Sequence, residues 1–199
     1  PRSERGGDVG VGSLDRADDG TRPGRRLDAI AGLADQVGPE VRVVLERLLG
    51  DARALTWLSL PASLERIHEG AFPYAGVLER IEVSAENPWY KSVDGVLFSK
   101  DGQALLSFPV GRGGHYDVPQ GTLPLGEFAF GSNERLQSLT LPEGITRLEG
   151  GTVSGALALE RLWLPASLQV LGAWALPQHG ALAHVEVAPG NRRYKSVEG

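Results

Sequence analysis

The four histidines are the residues best suited to acid–base or metal chemistry, but their spacing does not assemble a site. They lie at His68, His115, His179 and His184. None begins an H-E-x-x-H motif, and no serine occupies a G-x-S-x-G elbow. In the run His115-Tyr116-Asp117, consecutive strand residues would point to opposite faces, so we expect no convergence. The sequence predicts no enzyme activity, no catalytic residue, no metal site and no cofactor.

A repeated asparagine–tyrosine phrase could instead form a paired sugar or ion site. Asn87, Tyr90, Lys91 and Ser92 recur as Asn191, Tyr194, Lys195 and Ser196. Asparagine readily caps turns, and a packed tyrosine can still reach a backbone partner with its hydroxyl. Trp89 does not recur, because Arg193 takes its place. We therefore favour a structural role for this phrase over a ligand site.

The phrase belongs to a larger repeat. Residues 78–95 recur 104 positions later as residues 182–199, with nine of eighteen positions identical. A shorter period of 23 residues separates Leu55 from Leu78 and joins the successive leucines at 136, 159 and 182. The repeated pattern L-x-x-L-x-L-P alternates apolar and polar residues, as a short strand does, and proline then ends the strand. This repetition predicts a chain built from stacked coils.

Each coil also carries apolar residues on its returning side. Small and bulky pairs follow the prolines at Ala71-Phe72, Ala129-Phe130, Thr152-Val153 and Ala175-Leu176. A second apolar pair precedes three of them, namely Leu64 and Ile67, Ile145 and Leu148, and Leu168 and Leu171. About six inward side chains are too few for a core, so neighbouring coils must bury them by stacking.

The spacing from Leu78 to Leu136 is 58 residues, which is twelve more than two periods of 23. Val96-Leu97-Phe98 and Ala104-Leu105-Leu106 flank the turn residues Lys100-Asp101-Gly102. Asp-Gly tolerates the positive φ of tight hairpin turns. The sequence therefore predicts a β-hairpin insertion at about residues 87–115.

These motifs resemble the BspA-like leucine-rich repeats of bacterial surface proteins. The matching residues are Leu60-Pro61, the segment from Leu125 to Phe130, Asn87 through Lys100, and Phe108-Pro109. The resemblance covers residues 55–199 well and residues 32–54 weakly. It implies an α/β fold: a right-handed leucine-rich-repeat solenoid, or horseshoe, with a parallel concave β-sheet, short convex strands or 3₁₀ turns, and the hairpin insertion.

The chain departs from the family pattern at the position after the A-F element, where cysteine is common. Ala75, Asn133, Ala156 and His179 stand there instead, and the chain contains no cysteine. We interpret them as small or hydrogen-bonding substitutes. The duplicated hairpin would begin at Gly199, so we expect a segment of a longer solenoid. Because the chain begins at Pro1, we expect any export signal to lie upstream.

Three regions follow from composition and periodicity. Residues 1–26 contain little beyond glycine, arginine and aspartate, which predicts a flexible or disordered linker. Residues 27–54 are interpreted as a degenerate N-terminal capping repeat, helical over 41–49, and an independent amphipathic helix is the alternative. Residues 55–199 form the repeat domain. The net charge of −5 argues against nucleic acid as a partner, and no apolar stretch is long enough to insert into a membrane.

Function must then come from the exposed side chains of the concave sheet. One column contains Trp57, Arg80, Ser138, Arg161 and His184, and the other contains Ser59, Glu82, Thr140, Trp163 and Glu186. Adjacent strands lie about 4.8 Å apart, so we expect one continuous binding strip centred on Trp57, Arg161 and Trp163. The alternative is that a tryptophan merely covers a neighbouring strand.

The family resemblance implies an extracellular or cell-surface adhesion module that binds a protein or glycoprotein, such as a component of the extracellular matrix. A glycan-binding segment or a structural spacer within a larger bacterial protein is the alternative. The open edge of the last coil adds a second copy of the chain as a candidate partner, in an edge-mediated dimer.

Overall fold

The structure is a computed structural model that describes residues 26–27, 55–67, 72 and 76–196. Over these residues the chain forms a parallel β-solenoid of about five turns. Of the predicted linker at 1–26, residues 1–25 lie outside the described residues, as does the predicted capping helix at 41–49, whereas Arg26 begins the first strand.

The first parallel sheet contains β1 (Arg26–Leu27), β2 (Trp57–Leu60) and β3 (Arg80–Val83), in that order. Strands β2 and β3 pair in register, with Trp57 beside Arg80 and Ser59 beside Glu82. Leu58 and Leu60 alternate with these residues and are buried, as the repeated pattern predicts. Strand β2 ends immediately before Pro61, which has no N–H for a sheet ladder.

The antiparallel sheet inserted after β3 consists of β4 (Tyr90–Val93), β5 (Val96–Ser99) and β6 (Leu105–Ser107). We expected two strands here. The structure contains three, because residues 90–93 also form a strand, which pairs antiparallel with β5. Asp94 and Gly95 form the β4–β5 turn with φ of 49° and 77°. Positive φ at both central residues is the pattern of a type I′ hairpin turn.

The second parallel sheet contains β7 (Gly114–Asp117), β8 (Leu136–Thr140), β10 (Arg161–Leu164) and β12 (His184–Val187). Their order across the sheet is β12-β10-β8-β7. Strand β10 ends immediately before Pro165, as β2 ends before Pro61. On the returning side of the coils, β9 (Arg147–Leu148) and β11 (Val170–Leu171) form a separate two-stranded parallel sheet.

The α/β expectation is not met, because no helix and no 3₁₀ turn occurs in the part of the chain that the structure describes. Equivalent positions on the returning side explain this. Phe128, Gly151 and Trp174, spaced by one period each, adopt φ of 56°, 83° and 65°. A left-handed residue in each return interrupts any continuous helix.

The core divides into two clusters of buried side chains. The smaller one contains leucines of the first coils, including Leu58, Leu60 and Leu78, and the larger one fills the later coils. Strand β5 contributes to both, since Leu97 belongs to the smaller cluster and Val96 and Phe98 belong to the larger. The predicted inward pairs are buried where they are described, as with Ala129 and Phe130 at 1% and 0% exposure, or partly buried, as with Ile67 and Leu176. The insertion is therefore part of the core.

Candidate partner-binding site

The residues of both predicted columns have the neighbours that the repeat implies, and five of the ten are exposed while the other five are partly buried. In the second sheet, Arg161 pairs with Ser138 on one side and with His184 on the other. Trp163 pairs likewise with Thr140 and Glu186. Because alternate residues of a strand share a face, these side chains point away from the buried leucines. We call the outward faces of the two parallel sheets the exposed sheet face.

The columns do not form one continuous strip, which corrects the sequence-based expectation. Strand β3 pairs only with β2 among the parallel strands, and β7 pairs only with β8. The antiparallel sheet occupies the far edge of β3, where Ile81 donates its N–H to the carbonyl of Gly95. Trp57, Arg80, Ser59 and Glu82 therefore lie on one sheet, and the other six predicted residues lie on the second.

Trp163 lies in a shallow depression of about 160 Å³ on the second sheet. The depression is lined by Ser138, Thr140, Arg161, Leu162, Trp163 and Glu186. The indole of Trp163 is 37% exposed, whereas Trp57 on the first sheet is half-buried. An exposed ring among hydroxyl, guanidinium and carboxylate groups can pack on an apolar surface while its neighbours form directional hydrogen bonds. This depression brings together five of the ten predicted site residues.

His115 and Asp117 extend both columns by one strand, and the sequence analysis missed them. His115 lies beside Ser138 and Asp117 beside Thr140 in the sheet register. Their side chains do converge, with Nε2 of His115 2.9 Å from Oδ1 of Asp117. The expectation of no convergence was wrong because these residues are two apart and share a face, while Tyr116 between them points inward.

Hydrogen bonds from Thr140 and His115 hold the pKa of Asp117 below its usual range, despite a small opposing effect of burial. The carboxylate of Asp117 is thus ionised at neutral pH, and the row that contains Trp163 has an acidic residue at each end, Asp117 and Glu186.

The asparagine–tyrosine phrases have the predicted structural role. The amide of Asn87 donates to the carbonyls of Pro61 and Leu64, both at 2.9 Å, and its oxygen accepts from Trp89 and Tyr90 N–H groups. The hydroxyl of Tyr90 accepts from the N–H of Ile67 at 3.0 Å. Asn191 and Tyr194 repeat these contacts in the last described coil. Both phrases join a coil to the one before it.

Asn133 makes the same four bonds, which confirms its interpretation as a hydrogen-bonding substitute. It donates to Pro109 and Arg112 carbonyls and accepts from Arg135 and Leu136 N–H groups. The shared signal is the phrase N-x-x-Y or N-x-x-L, and in Asn87 and Asn133 it places the asparagine three residues before the start of β4 and β8. Ala156, at the same repeat position, is fully buried, while His179 is exposed.

Comparisons with known proteins agree with this architecture. No protein-family model matches the chain, and a search of curated proteins finds no match. Among solved structures, the chain is similar to a leucine-rich repeat protein from Eubacterium ventriosum, with a TM-score of 0.61 and 27% sequence identity over 67% of this chain and 36% of that one. It is also similar to the pneumococcal vaccine antigen PcpA, with a TM-score of 0.55 and 25% identity over 68% of this chain and 40% of that one.

The resemblance to the BspA-like leucine-rich repeats is confirmed. A leucine-rich cell surface protein from Faecalibacterium prausnitzii is similar at 23% identity and a TM-score of 0.41, over 68% of this chain and 48% of that one. The chain spans less than half the length of each of these three proteins.

A second feature of the structure lies at the break between the two parallel sheets. A cleft of about 510 Å³ is lined by Thr56, Glu79, Arg80, Asp94, Gly111, Arg112, Gly113 and Arg135. We call it the arginine cleft. Of these residues, only Arg80 was predicted as a site residue. Arg112 comes from the segment between the insertion and β7, where the 23-residue period is interrupted, so no repeat spacing could have placed it beside Arg80.

Residues 55–67, 72 and 76–196 contain no group of three histidine, cysteine, aspartate or glutamate side chains that could hold a metal ion. No helix long and apolar enough to cross a membrane occurs in that part of the chain.

Proposed function

We propose that this chain is a non-catalytic, protein-binding module of a bacterial surface or secreted protein. The observation that carries the proposal is the pair of in-register rows on the second sheet, with exposed Trp163 beside Arg161 at their centre. Tryptophan and arginine are the residues most enriched at binding hot spots. A rigid parallel sheet presents them at little entropic cost.

We also propose a curvature for the solenoid and a location for the module. The exposed sheet face is taken as the concave side of a right-handed horseshoe, and the module as extracellular or attached to the bacterial cell surface. Its partner class is a host or matrix glycoprotein. Support comes from the similarity to PcpA, a vaccine antigen, and to a second bacterial leucine-rich repeat protein.

A glycan is the alternative ligand, and one observation favours it. The ring of Trp163 lies beside the hydroxyl-bearing residues Ser138 and Thr140 in the same depression. A ring face flanked by hydrogen-bonding groups suits a sugar as well as a protein side chain. A structural spacer, which would bind neither ligand, is the remaining alternative.

The test is binding of the chain to a panel of immobilised matrix glycoproteins, before and after enzymatic deglycosylation, with Trp163→Ala. We expect saturable binding that Trp163→Ala weakens by about tenfold or more, equivalent to about 1.4 kcal/mol or more, because a central tryptophan is a typical hot spot. Trp174→Ala is the matched control, since Trp174 is 65% exposed but lies on the returning side of its coil.

Loss of binding after deglycosylation would show that the ligand is a glycan and not the protein that carries it. Equal losses for the Trp163 and Trp174 variants would rule out the exposed sheet face as the contact surface. No binding to any protein of the panel would leave the chain a spacer.

A further inference from the structure

We propose that the arginine cleft is a second binding site, which takes carboxylate groups of an acidic peptide segment. The inference rests on the proposed function for the class of ligand, a protein, and adds a site outside the depression around Trp163. It is carried by the placement of three guanidinium groups at the break between the sheets.

The cleft exists because the parallel sheet is interrupted there. Residues 111–113 lie between the segment before β3 and the segment before β8. A Cβ on Gly111 would lie 2.3 Å from the carbonyl carbon of Val77, and one on Gly113 would lie 2.8 Å from the carbonyl oxygen of Arg135. Glycine at both positions lets this segment pack against backbone on each side. Arg112, between them, is the residue of this segment whose side chain borders the opening.

Arg112 is held in place before any ligand arrives. Its two terminal nitrogens donate to the backbone carbonyl and to Oδ2 of Asp94, the latter at 2.6 Å. Its guanidinium lies 5.5 Å from the ring centres of both Phe108 and Tyr116. The ion pair with Arg112 lowers the pKa of Asp94, and burial raises the pKa of Tyr116 to about 12. Arg112 is therefore a fixed positive wall of the cleft.

Arg80 and Arg135 provide the hydrogen-bond donors. Nε of Arg80 donates to the carboxylate of Glu82. Within the described residues, the terminal nitrogens of Arg80 donate to no acceptor. One nitrogen of Arg135 is 3.4 Å from the carbonyl oxygen of Gly111 and 3.7 Å from Oε1 of Glu79. The second distance is too long for a hydrogen bond. Since each guanidinium has five N–H donors, both arginines retain capacity for a ligand.

The chemistry of these contacts selects carboxylate as the ligand group. All three arginines already face a carboxylate of the chain, namely Glu82, Asp94 and Glu79. The Arg135–Glu79 pair is the loosest, and both side chains are more than half exposed, so an incoming carboxylate displaces Glu79 at small cost. The lining residues carry three positive and two negative charges, and Glu82, which bonds Arg80 from outside the lining, balances the third positive charge.

A peptide fits this lining better than an acidic sugar. The residues that line the cleft include no aromatic side chain, so a sugar ring would find no platform on which to pack. Glutamate and aspartate side chains on an extended peptide can reach separate guanidinium groups without such a platform.

The test is fluorescence anisotropy of a labelled, end-capped hexaglutamate peptide titrated with the full chain at low salt. Hexaglutamine, hexagalacturonate and citrate serve as competitors. We expect Arg135→Gln and Arg80→Gln each to weaken peptide binding by about tenfold, as loss of a charge-assisted contact does. Glu79→Gln should tighten binding by about twofold or more, because it removes the carboxylate that competes for Arg135.

Arg147→Gln is the matched control. Arg147 is as exposed as Arg80, at 58%, and likewise bonds the glutamate two residues later through Nε. It lies on the separate sheet formed by β9 and β11, so we expect its replacement to leave the affinity unchanged. If the peptide responds only to the overall charge of the surface, Arg147→Gln and Arg135→Gln will lower the affinity equally. That result would overturn the proposal.

Absence of peptide binding by the unmodified chain would also overturn it, as would tighter binding of hexagalacturonate than of hexaglutamate. Weaker binding after Glu79→Gln would show that Glu79 belongs to the contact and contradict the displacement argument. These outcomes are independent of the glycoprotein panel. If the chain binds glycoproteins through Trp163 but does not bind the peptide, only the cleft proposal fails. If it binds the peptide but no glycoprotein, only the proposed function fails.

Discussion

Asn87, Asn133 and Asn191 show how single side chains set the stacking of the coils. Each donates two hydrogen bonds to carbonyls of the preceding coil or its connection, and accepts two from the N–H groups of the residues two and three positions later. A buried amide with all four bonds made is stabilising only as a complete unit, because each lost partner leaves a buried polar group unpaired.

We predict that Asn133→Ala destabilises the chain by about 3 kcal/mol, since it leaves the carbonyls of Pro109 and Arg112 and two N–H groups without their partner. Asn133 is fully buried, so water does not readily replace the lost bonds. Urea denaturation followed by circular dichroism measures the effect.

Asn191→Ala is the control for this prediction. It removes the same four hydrogen bonds, but Asn191 is only partly buried, so water can take some of them over. We expect less than half the destabilisation of Asn133→Ala. Equal effects in both variants would show that burial does not set the value of these bonds.

Among the elements, the β4–β5 turn connects fold and candidate site. Arg80 packs across Gly95, such that a Cβ at position 95 would lie 2.7 Å from Cγ of Arg80. Asp94, the other turn residue, holds Arg112. One two-residue turn thus positions two of the three guanidinium groups of the arginine cleft.

We predict that Gly95→Ala costs about 2 kcal/mol of stability, because it adds left-handed backbone strain and a steric clash with Arg80. Gly121→Ala is the control. Gly121 has a similar φ of 85°, but nothing lies within 4 Å of an added Cβ, so it measures the backbone term alone. Thermal unfolding of both variants gives the difference. If Gly121→Ala is as costly as Gly95→Ala, Arg80 is not confined by the turn.

At the scale of the whole molecule, the two core clusters define two stacked units in the described residues, and strand β5 contributes side chains to both. Leu97 is fully buried against the first coils, while Val96 and Phe98 face the later ones. In stacked-coil proteins each coil contacts mainly its neighbours, so stability is a sum of local terms. Local opening then follows the cluster that a substitution damages.

We predict that Leu97→Ala lowers stability by about 2–4 kcal/mol through a cavity in the smaller cluster. Amide hydrogen exchange should then accelerate more in β2 and β3 than in β8 and β10. Leu162→Ala is the matched control, because Leu162 is 1% exposed in the larger cluster, and we expect it to produce the reverse pattern. Uniform acceleration throughout the chain in both variants would mean that the clusters unfold together.

Periodicity by itself determined the repeat, the strands and the register of the exposed columns. A period of 23 residues places Leu139 beside Leu162 and Thr140 beside Trp163, and the structure pairs them in that register. The asparagine and tyrosine contacts were predictable for the same reason. The phrase that makes these contacts occurs twice, at residues 87–92 and 191–196, so the sequence shows its pattern without an alignment.

The break in the sheet and the arginine cleft were decided only by the tertiary structure. The sequence revealed an insertion between the coils, but not that its turn would occupy the edge of β3 or that Leu97 and Phe98 would pack into different clusters. Arg80, Arg112 and Arg135 meet there although neither Arg112 nor Arg135, which are one period of 23 residues apart, lies a whole number of periods from Arg80. Stacking within a repeat follows from local sequence, whereas the packing of an insertion depends on which surfaces remain unpaired once the coils have stacked.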